Sequence, residues 1–284
     1  MQTVTTIDAL RSAISLWRIE EQRIAFVPTM GNLHAGHIKL IETARQYAER
    51  VVVSIFVNPT QFGPNEDFAS YPRTEQQDQE KLQACGADLL FLPSLVQMYP
   101  QPIKTHISVT HLASLHCGAS RPGHFDGVAL VVCKLLNMVS PDALLLGEKD
   151  FQQLAVIRQM VSDLNMPVTI HGVPTVREAD GLAMSSRNGY LSAAERQTAP
   201  MLYQVLCKVR QAILSGVSDY QTLLLEQGQA LQQAGFVVDY LQVCRQDDLS
   251  SATLADPDLV VLIAAKLGKT RLIDNIRFSR LASV

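Results

Sequence analysis

The sequence predicts an α/β protein, in which a doubly wound parallel sheet is followed by a smaller C-terminal α+β domain. Apolar runs rich in β-branched residues, such as VVVSIFVN at 51–58, alternate with segments whose apolar residues recur at helical spacing. After about residue 175 this alternation gives way to two long helical patterns and three strand patterns. We therefore expect one domain at 1–175 and a second at 176–284.

The elements of the first domain follow from apolar periodicity and from turn residues. Strands are expected at 24–27, 51–58, 87–93, 142–147 and 168–173. Helices are expected at 37–50, 75–84, 123–139 and 151–165. In the second domain, helices at 193–214 and 219–233 precede strands at 236–244, 259–268 and 270–278. The carboxyl ends of the parallel strands should meet at one edge of the sheet, where such sheets bind ligands.

Composition excludes several classes of protein. The chain has 284 residues, of which 47% are hydrophobic and 18% charged, and a net charge of -3 gives no basic field for nucleic acid. The most apolar stretch, VALVVCKLLNMV, is interrupted by Lys134 and is typical of a core helix rather than a membrane span. We see no signal peptide, and five cysteines without a CxxC pair indicate reduced thiols and a cytoplasmic protein.

Two histidines follow the first predicted strand, in the segment PTMGNLHAGH at 28–37. His34 and His37 are three residues apart at the start of a predicted helix, where unpaired backbone N–H groups favour phosphate. A zinc site is disfavoured, because zincin helices use an i,i+4 pair with an intervening glutamate. A phosphate-binding pair is favoured, since two glycines allow a ligand close to the backbone, but two helix-capping histidines remain an alternative.

Other polar side chains also follow predicted strands. Lys149 in GEKD (147–150) ends one strand, where it could bind phosphate or lie solvated on the surface. Gln61 follows another strand, and Gln153 lies in the first turn of the next helix, so their amides could bind a small polar substrate. The segment AMSSRNG at 183–189 offers hydroxyls and an arginine to phosphate, although an N-cap or turn is the favoured explanation of this segment taken alone.

The chemistry that these residues suggest is positioning and charge stabilisation. We find no Walker A sequence, no GxSxG motif and no cysteine with a motif-level partner, so the sequence offers no evident covalent nucleophile. Side chains for both a phosphate and an acceptor favour an enzyme over a non-catalytic nucleotide-binding regulator.

These residues resemble a known family. PTMGNLHAGH resembles the HxGH signature of the nucleotidyltransferase superfamily, whose sheet is Rossmann-like, and AMSSR resembles its KMSKS-type second signature. Further blocks resemble the pantothenate synthetase (pantoate–β-alanine ligase) family throughout the chain. They are VVVSIFVNPTQFGPNEDF, YPRT, GASRPGHF, GEKDFQQLAVIRQMV, VPTVREADGLAMSSRNGYLS and TRLIDN.

The resemblance implies a set of site residues. ATP would contact Met30, Gly31, Leu33, His34, Gly36, His37, Gly147, Glu148, Lys149, Asp150, Val176, Met184, Ser185, Ser186 and Arg187. The catalytic residues would be His34, His37, Lys149 and Arg187, with a positively charged imidazole stabilising the leaving phosphate or passing a proton. Gln61 and Gln153 would bind pantoate, and Gln61 would later bind β-alanine.

The implied reaction joins pantoate to β-alanine. ATP would convert pantoate to pantoyl adenylate and pyrophosphate, and β-alanine would then give pantothenate and AMP. Mg²⁺ would accompany ATP without a dedicated protein site, and the protein would be a homodimer. The polar, glycine-containing junction after residue 175 further predicts that the second domain, 176–284, and its 176–190 loop act as a lid. A nucleotidylyltransferase of the same superfamily is the alternative, whereas size, mild acidity and the lack of an evident RNA-binding domain disfavour an aminoacyl-tRNA synthetase. Two residues depart from the family pattern: Cys117 stands where glutamate is common, and Asp126 where arginine is common.

Overall fold

A parallel sheet forms the amino-terminal part of the protein, in a computed structural model that describes residues 1–64 and 66–280. Its strands are β1 (Gln2–Val4), β2 (Ile24–Thr29), β3 (Arg50–Ile55), β4 (Leu89–Phe91), β5 (Ala143–Gly147) and β6 (Thr169–Val173). They pair in the order β1-β4-β3-β2-β5-β6, and every pair is parallel. Strand order reverses between β2 and β5, so the crevice at their carboxyl ends is the expected ligand site.

Helices cover both faces of this sheet. They are α1 (Ile7–Ile19), α2 (Ala35–Ala44), α3 (Glu75–Ala84), α4 (Leu95–Met98), α5 (His116–Ser120), α6 (His124–Val139) and α7 (Phe151–Asp163). Successive strand residues face opposite sides. Phe26 and Leu144 belong to the apolar cluster that includes α1, α6 and α7, whereas Val27 and Leu145 belong to the cluster with α2 and α3. The strands are therefore apolar on both faces, as predicted.

The carboxyl-terminal part contains helices and an antiparallel sheet. Its elements are α8 (Ala193–Thr198), α9 (Met201–Leu214), α10 (Tyr220–Gln233), β7 (Phe236–Arg245), β8 (Asp258–Leu267) and β9 (Thr270–Ser279). The strands pair in the order β7-β8-β9. A doubly wound parallel sheet followed by a smaller α+β unit confirms the predicted fold class.

Several local predictions differ from the structure. The strand expected at 51–58 ends at Ile55, and the strand expected at 87–93 covers only Leu89–Phe91. The helix expected at 193–214 is divided at Pro200, which has no N–H for a helical hydrogen bond. α2 ends at Ala44, although buried Ala48 continues its apolar pattern through a turn. The predicted elements did not include β1, α1, α4 or α5. Apolar residues of α1 lie on both its buried and its exposed faces, and β1, α4 and α5 have only three to five residues each.

Among the residues described, no helix is long and apolar enough to cross a membrane. The apolar segment around Lys134 lies in α6 and packs in the core, as predicted.

Candidate active site

His34 and His37 cap the start of α2 reciprocally. His34 is the N-cap residue, and its Nδ1 accepts a hydrogen bond from the Gly36 N–H at 3.1 Å. The Nδ1 of His37 accepts one from the His34 N–H at 3.3 Å. A neutral imidazole that accepts at Nδ1 carries its proton at Nε2, so each ring retains one N–H donor. Capping and phosphate binding use different ring nitrogens and can therefore coexist.

Both imidazoles are neutral at pH 7. Burial, then the nearby positive charge of Lys149, lowers the pKa of His34 to about 4. Burial, then His34 and Lys149, lowers the pKa of His37 to about 3. The described residues contain no group of three or more His, Cys, Asp or Glu side chains that could hold a metal ion.

Lys149 lies at the carboxyl end of β5, across the strand-order reversal from the histidines. Its side chain is 19% exposed, and its Nζ is 3.7 Å from an Asp150 carboxylate oxygen. The Asn275 amide of β9 donates to the carbonyl oxygens of Glu148 and Lys149, at 2.8 and 2.9 Å. The antiparallel sheet thus fixes the backbone that carries this lysine.

The segment 184–187 packs against the loop at 30–34 between β2 and α2, which we call the histidine loop. The Ser186 hydroxyl donates to the Asn32 carbonyl at 3.0 Å, and the Met184 N–H donates to the Val176 carbonyl at 3.0 Å. Arg187 forms a two-pronged ion pair with Asp67. These contacts bring a third, distant part of the chain to the ends of β2 and β5.

Gln61 is held in a defined orientation beside this loop. Its side-chain oxygen accepts a hydrogen bond from the buried Asn58 amide at 3.0 Å, which leaves its amide nitrogen 3.3 Å from the Met30 sulfur. Gln153 faces the same region from the first turn of α7.

Two adjoining cavities gather most of the predicted site residues. The smaller, of about 220 Å³, lies at the ends of β2 and β5, and the larger, of about 600 Å³, lies between the two sheets. The predicted residues that line the smaller cavity are Met30, His34, Gly36, His37, Gln61, Gly147, Lys149, Asp150, Gln153, Val176, Met184, Ser185, Ser186 and Arg187. Of these, the residues that also line the larger cavity are Met30, Gln61, Lys149, Asp150, Gln153, Ser185 and Arg187.

Three predicted ATP-binding residues lie outside the lining of both cavities. Leu33 is buried, and Gly31 has a φ of 83°, a left-handed conformation that favours glycine. Both shape the loop that carries His34. The Glu148 carboxylate pairs instead with Arg277 of β9 at 2.9 Å. Its side chain therefore serves the contact between the two sheets.

The structure adds lining residues that the sequence pattern did not single out. Asn58 and Tyr71 line the smaller cavity, and Asp67 lines the larger one. Asn58 lies three residues before Gln61 after the same strand, so its position at a strand end could have identified it. Asp67 and Tyr71 follow in the next loop, and no local pattern places them beside Arg187.

The two departures from the family pattern have different surroundings. Cys117 lines the larger cavity, where its sulfur lies 2.9 Å from the Tyr240 hydroxyl and 3.5 Å from the Arg271 guanidinium. Asp126 lies outside both cavities, with its carboxylate 3.4 Å from the His106 ring.

Comparisons with known proteins agree on one family. The family model for pantoate-beta-alanine ligase matches residues 2–277. Pantothenate synthetases from Pseudomonas savastanoi pv. phaseolicola and Methylococcus capsulatus are 56% and 54% identical to the chain. The first alignment covers 99% of this chain and 100% of the relative, and the second covers 98% of each.

Solved structures of the same family superpose on the protein. Pantothenate synthetase from Thermus thermophilus has a TM-score of 0.92 and 45% identity, over 97% of this chain and 99% of that one. The pantoate-beta-alanine ligase from Francisella tularensis, complexed with beta-gamma ATP and β-alanine, has a TM-score of 0.83 and 37% identity, over 99% and 98% of the two chains. The chain belongs to the pantoate–β-alanine ligase family.

Proposed function

We propose that this protein condenses pantoate with β-alanine at the expense of ATP, releasing pantothenate, AMP and diphosphate. Family membership supports the overall reaction. One observation supports its location here: phosphate-type donors from three distant segments line the cavity at the strand-order reversal. These donors are His34 and His37, Lys149, and Ser185 to Arg187.

In the first step, the pantoate carboxylate attacks the α-phosphorus of ATP and diphosphate leaves. Lys149 and Arg187 supply positive charge to the phosphates, and His34 and His37 supply Nε2–H donors. Because α2 and the 147–150 segment already hold His34, His37 and Lys149 in place, these three residues stabilise developing charge without reorganising. Gln61 and Gln153 orient pantoate beside them, which converts the attack into a step between positioned groups.

In the second step, the β-alanine amine attacks the carbonyl of pantoyl adenylate and AMP leaves. A mixed anhydride is already activated, so this step needs orientation rather than a protein nucleophile. Gln61 lines both cavities, which supports its role as the group that contacts pantoate first and β-alanine later.

Mg²⁺ is proposed to enter with ATP. Asp150 is the carboxylate that lines the smaller cavity, and Mg²⁺ commonly uses one or two carboxylates together with phosphates and water. The donor set therefore fits a metal held mainly by the nucleotide, with Asp150 as its protein partner. The ion would neutralise charge on the phosphates.

We also propose two domains, at 1–175 and 176–284, with the second closing as a lid over the adenylate. The larger cavity lies between them, and exclusion of water would protect the reactive anhydride. A homodimer is proposed as the assembly, as the resemblance to the family implies. Sedimentation of the purified protein tests the dimer directly.

Product analysis tests the proposed reaction. With ATP, Mg²⁺, pantoate and β-alanine, we expect equal amounts of pantothenate, AMP and diphosphate, and no pantothenate when any one substrate is omitted. A product that retains covalently bound AMP would instead indicate a nucleotidylyltransferase.

A further inference from the structure

Helix α3 contacts the histidine loop through two charged side chains. The Asp78 carboxylate accepts hydrogen bonds from the N–H groups of Asn32 and Leu33, each at 2.8 Å. One turn later, Lys81 Nζ donates to the Leu33 carbonyl at 2.7 Å. The N–H groups of Asn32 and Leu33 and the Leu33 carbonyl, immediately before His34, are therefore all hydrogen-bonded to α3.

The Asp78 carboxylate is built into the core rather than solvated. Asp78 is 0% exposed, and the Thr74 hydroxyl supplies a third hydrogen bond at 3.0 Å. A buried carboxylate requires such partners, so its position and that of the loop depend on each other. Asn32 has a φ of 50°, a left-handed conformation that the two flanking hydrogen bonds help to maintain.

The positive charge of Lys81 also acts electrostatically on both histidines. Its positive charge is among the causes that lower the pKa of both His34 and His37. Lys149 acts on both rings in the same direction, and Asp150 opposes it at His34. The side chain of Lys81 is exposed, so its replacement removes little from the core.

We propose that Asp78 and Lys81 are positioning residues that fix the phosphate-binding geometry of His34 and His37. This inference rests on the proposed role of the two histidines. Neither α3 residue lines a cavity wall, so their effect on catalysis is transmitted through the Asn32–Leu33 backbone.

The test compares Lys81→Met, Lys81→Arg and the matched control Lys39→Met. Lys39 is an exposed lysine on α2 whose Nζ lies 3.7 Å from Glu42, on the helix that carries the histidines. Pantoate-dependent exchange of pyrophosphate into ATP reports adenylate formation, and imidazole NMR spectra report the histidines directly. Displacement of positioned groups by about 1 Å can reduce rates about 100-fold.

We expect Lys81→Met to lower kcat for exchange about tenfold or more, on that scale. Its KM for pantoate and its Tm should remain those of the wild type. Resonances of His34 and His37 should shift, while Lys81→Arg restores most of the activity and Lys39→Met changes neither measurement. Asp78→Asn should give the same spectral changes, since an amide replaces one accepting oxygen with a donor.

Wild-type exchange rates and unchanged His34 and His37 resonances in Lys81→Met would overturn the proposal. If the wild type itself showed no exchange, the proposed reaction would fail instead. The NMR comparison would still decide whether α3 positions the histidines.

Discussion

Arg187 and Asp67 form a bidentate ion pair between two segments that are 120 residues apart in the sequence. Nε lies 3.0 Å and Nη2 2.9 Å from the two carboxylate oxygens, and the side chains are 30% and 23% exposed. Arg187 lines both cavities, whereas Asp67 lines the larger one. A nucleotide phosphate that binds Arg187 must therefore share it with Asp67 or replace Asp67.

Replacement of Arg187 by alanine should strongly reduce pantothenate formation. If its guanidinium stabilises charge on the phosphates, the loss of one preorganised donor is expected to cost about 2.7–4 kcal/mol of transition-state stabilisation, roughly 100- to 1,000-fold. The measurement is kcat/KM for ATP.

Arg196→Ala provides the matched control for this prediction. Arg196 pairs with Asp180 at 2.5 Å on the same part of the chain but outside both cavities. We expect this variant to remain within about twofold of the wild type, as exposed ion pairs contribute little to stability. Equal activities of Arg187→Ala and Arg196→Ala would contradict a phosphate-binding role for Arg187.

The two half-buried histidines should make the stability of the protein fall as the pH is lowered below about 6.5. In the unfolded chain, imidazoles gain protons near pH 6.5. In the folded protein, His34 resists protonation to about pH 4 and His37 to about pH 3. The unfolded state thus binds more protons in this interval, so the free energy of unfolding decreases as the pH decreases.

His37→Gln isolates this effect, because glutamine at the third helical position can maintain the reciprocal cap without titrating. The free energy of unfolding, measured by urea denaturation at pH 7 and pH 5, should fall less in the variant than in the wild type. Parallel decreases in the two proteins would show that His37 is not held neutral by its surroundings.

Gly31→Ala should destabilise the protein. Gly31 has a φ of 83°, and an added Cβ would lie 3.1 Å from the Ile55 side chain and 3.2 Å from an Asp78 oxygen. The left-handed conformation alone costs about 1–2 kcal/mol for an L-residue. The same substitution at Gly228, in the middle of α10 with nothing within 4 Å, should stabilise by about 0.5–1 kcal/mol. Urea denaturation of both variants checks the opposite signs, and two losses of similar size would contradict this explanation.

The sequence predicts the location of those site residues that directly follow a strand. His34, Gln61 and Lys149 each follow a strand of a parallel sheet, and strand ends converge whatever the details of packing. The pairing of Asp67 with Arg187 and the contact of Asp78 with the histidine loop depend on tertiary packing between segments far apart in sequence. Hydrophobic periodicity contains no information about such polar pairs, and only the folded chain reveals them.

The same distinction applies to the fold. The buried strands are predicted because their apolar runs are strong, and the helix predicted at 75–84 is found at Glu75–Ala84. β1 has only three residues and gains its strand conformation by pairing with β4, a contact across the chain that no local pattern encodes.

Activation of pantoate as an adenylate, in the cavity beside His34, His37 and Lys149, is the step on which the proposed function depends. Incubation with ATP, Mg²⁺ and labelled pyrophosphate, without β-alanine, tests it most directly. We expect label to enter ATP only when pantoate is present. We also expect Lys149→Ala, which removes a positive charge from that cavity, to abolish most of the exchange. Exchange without pantoate, or no exchange with it, would contradict adenylate formation at this site.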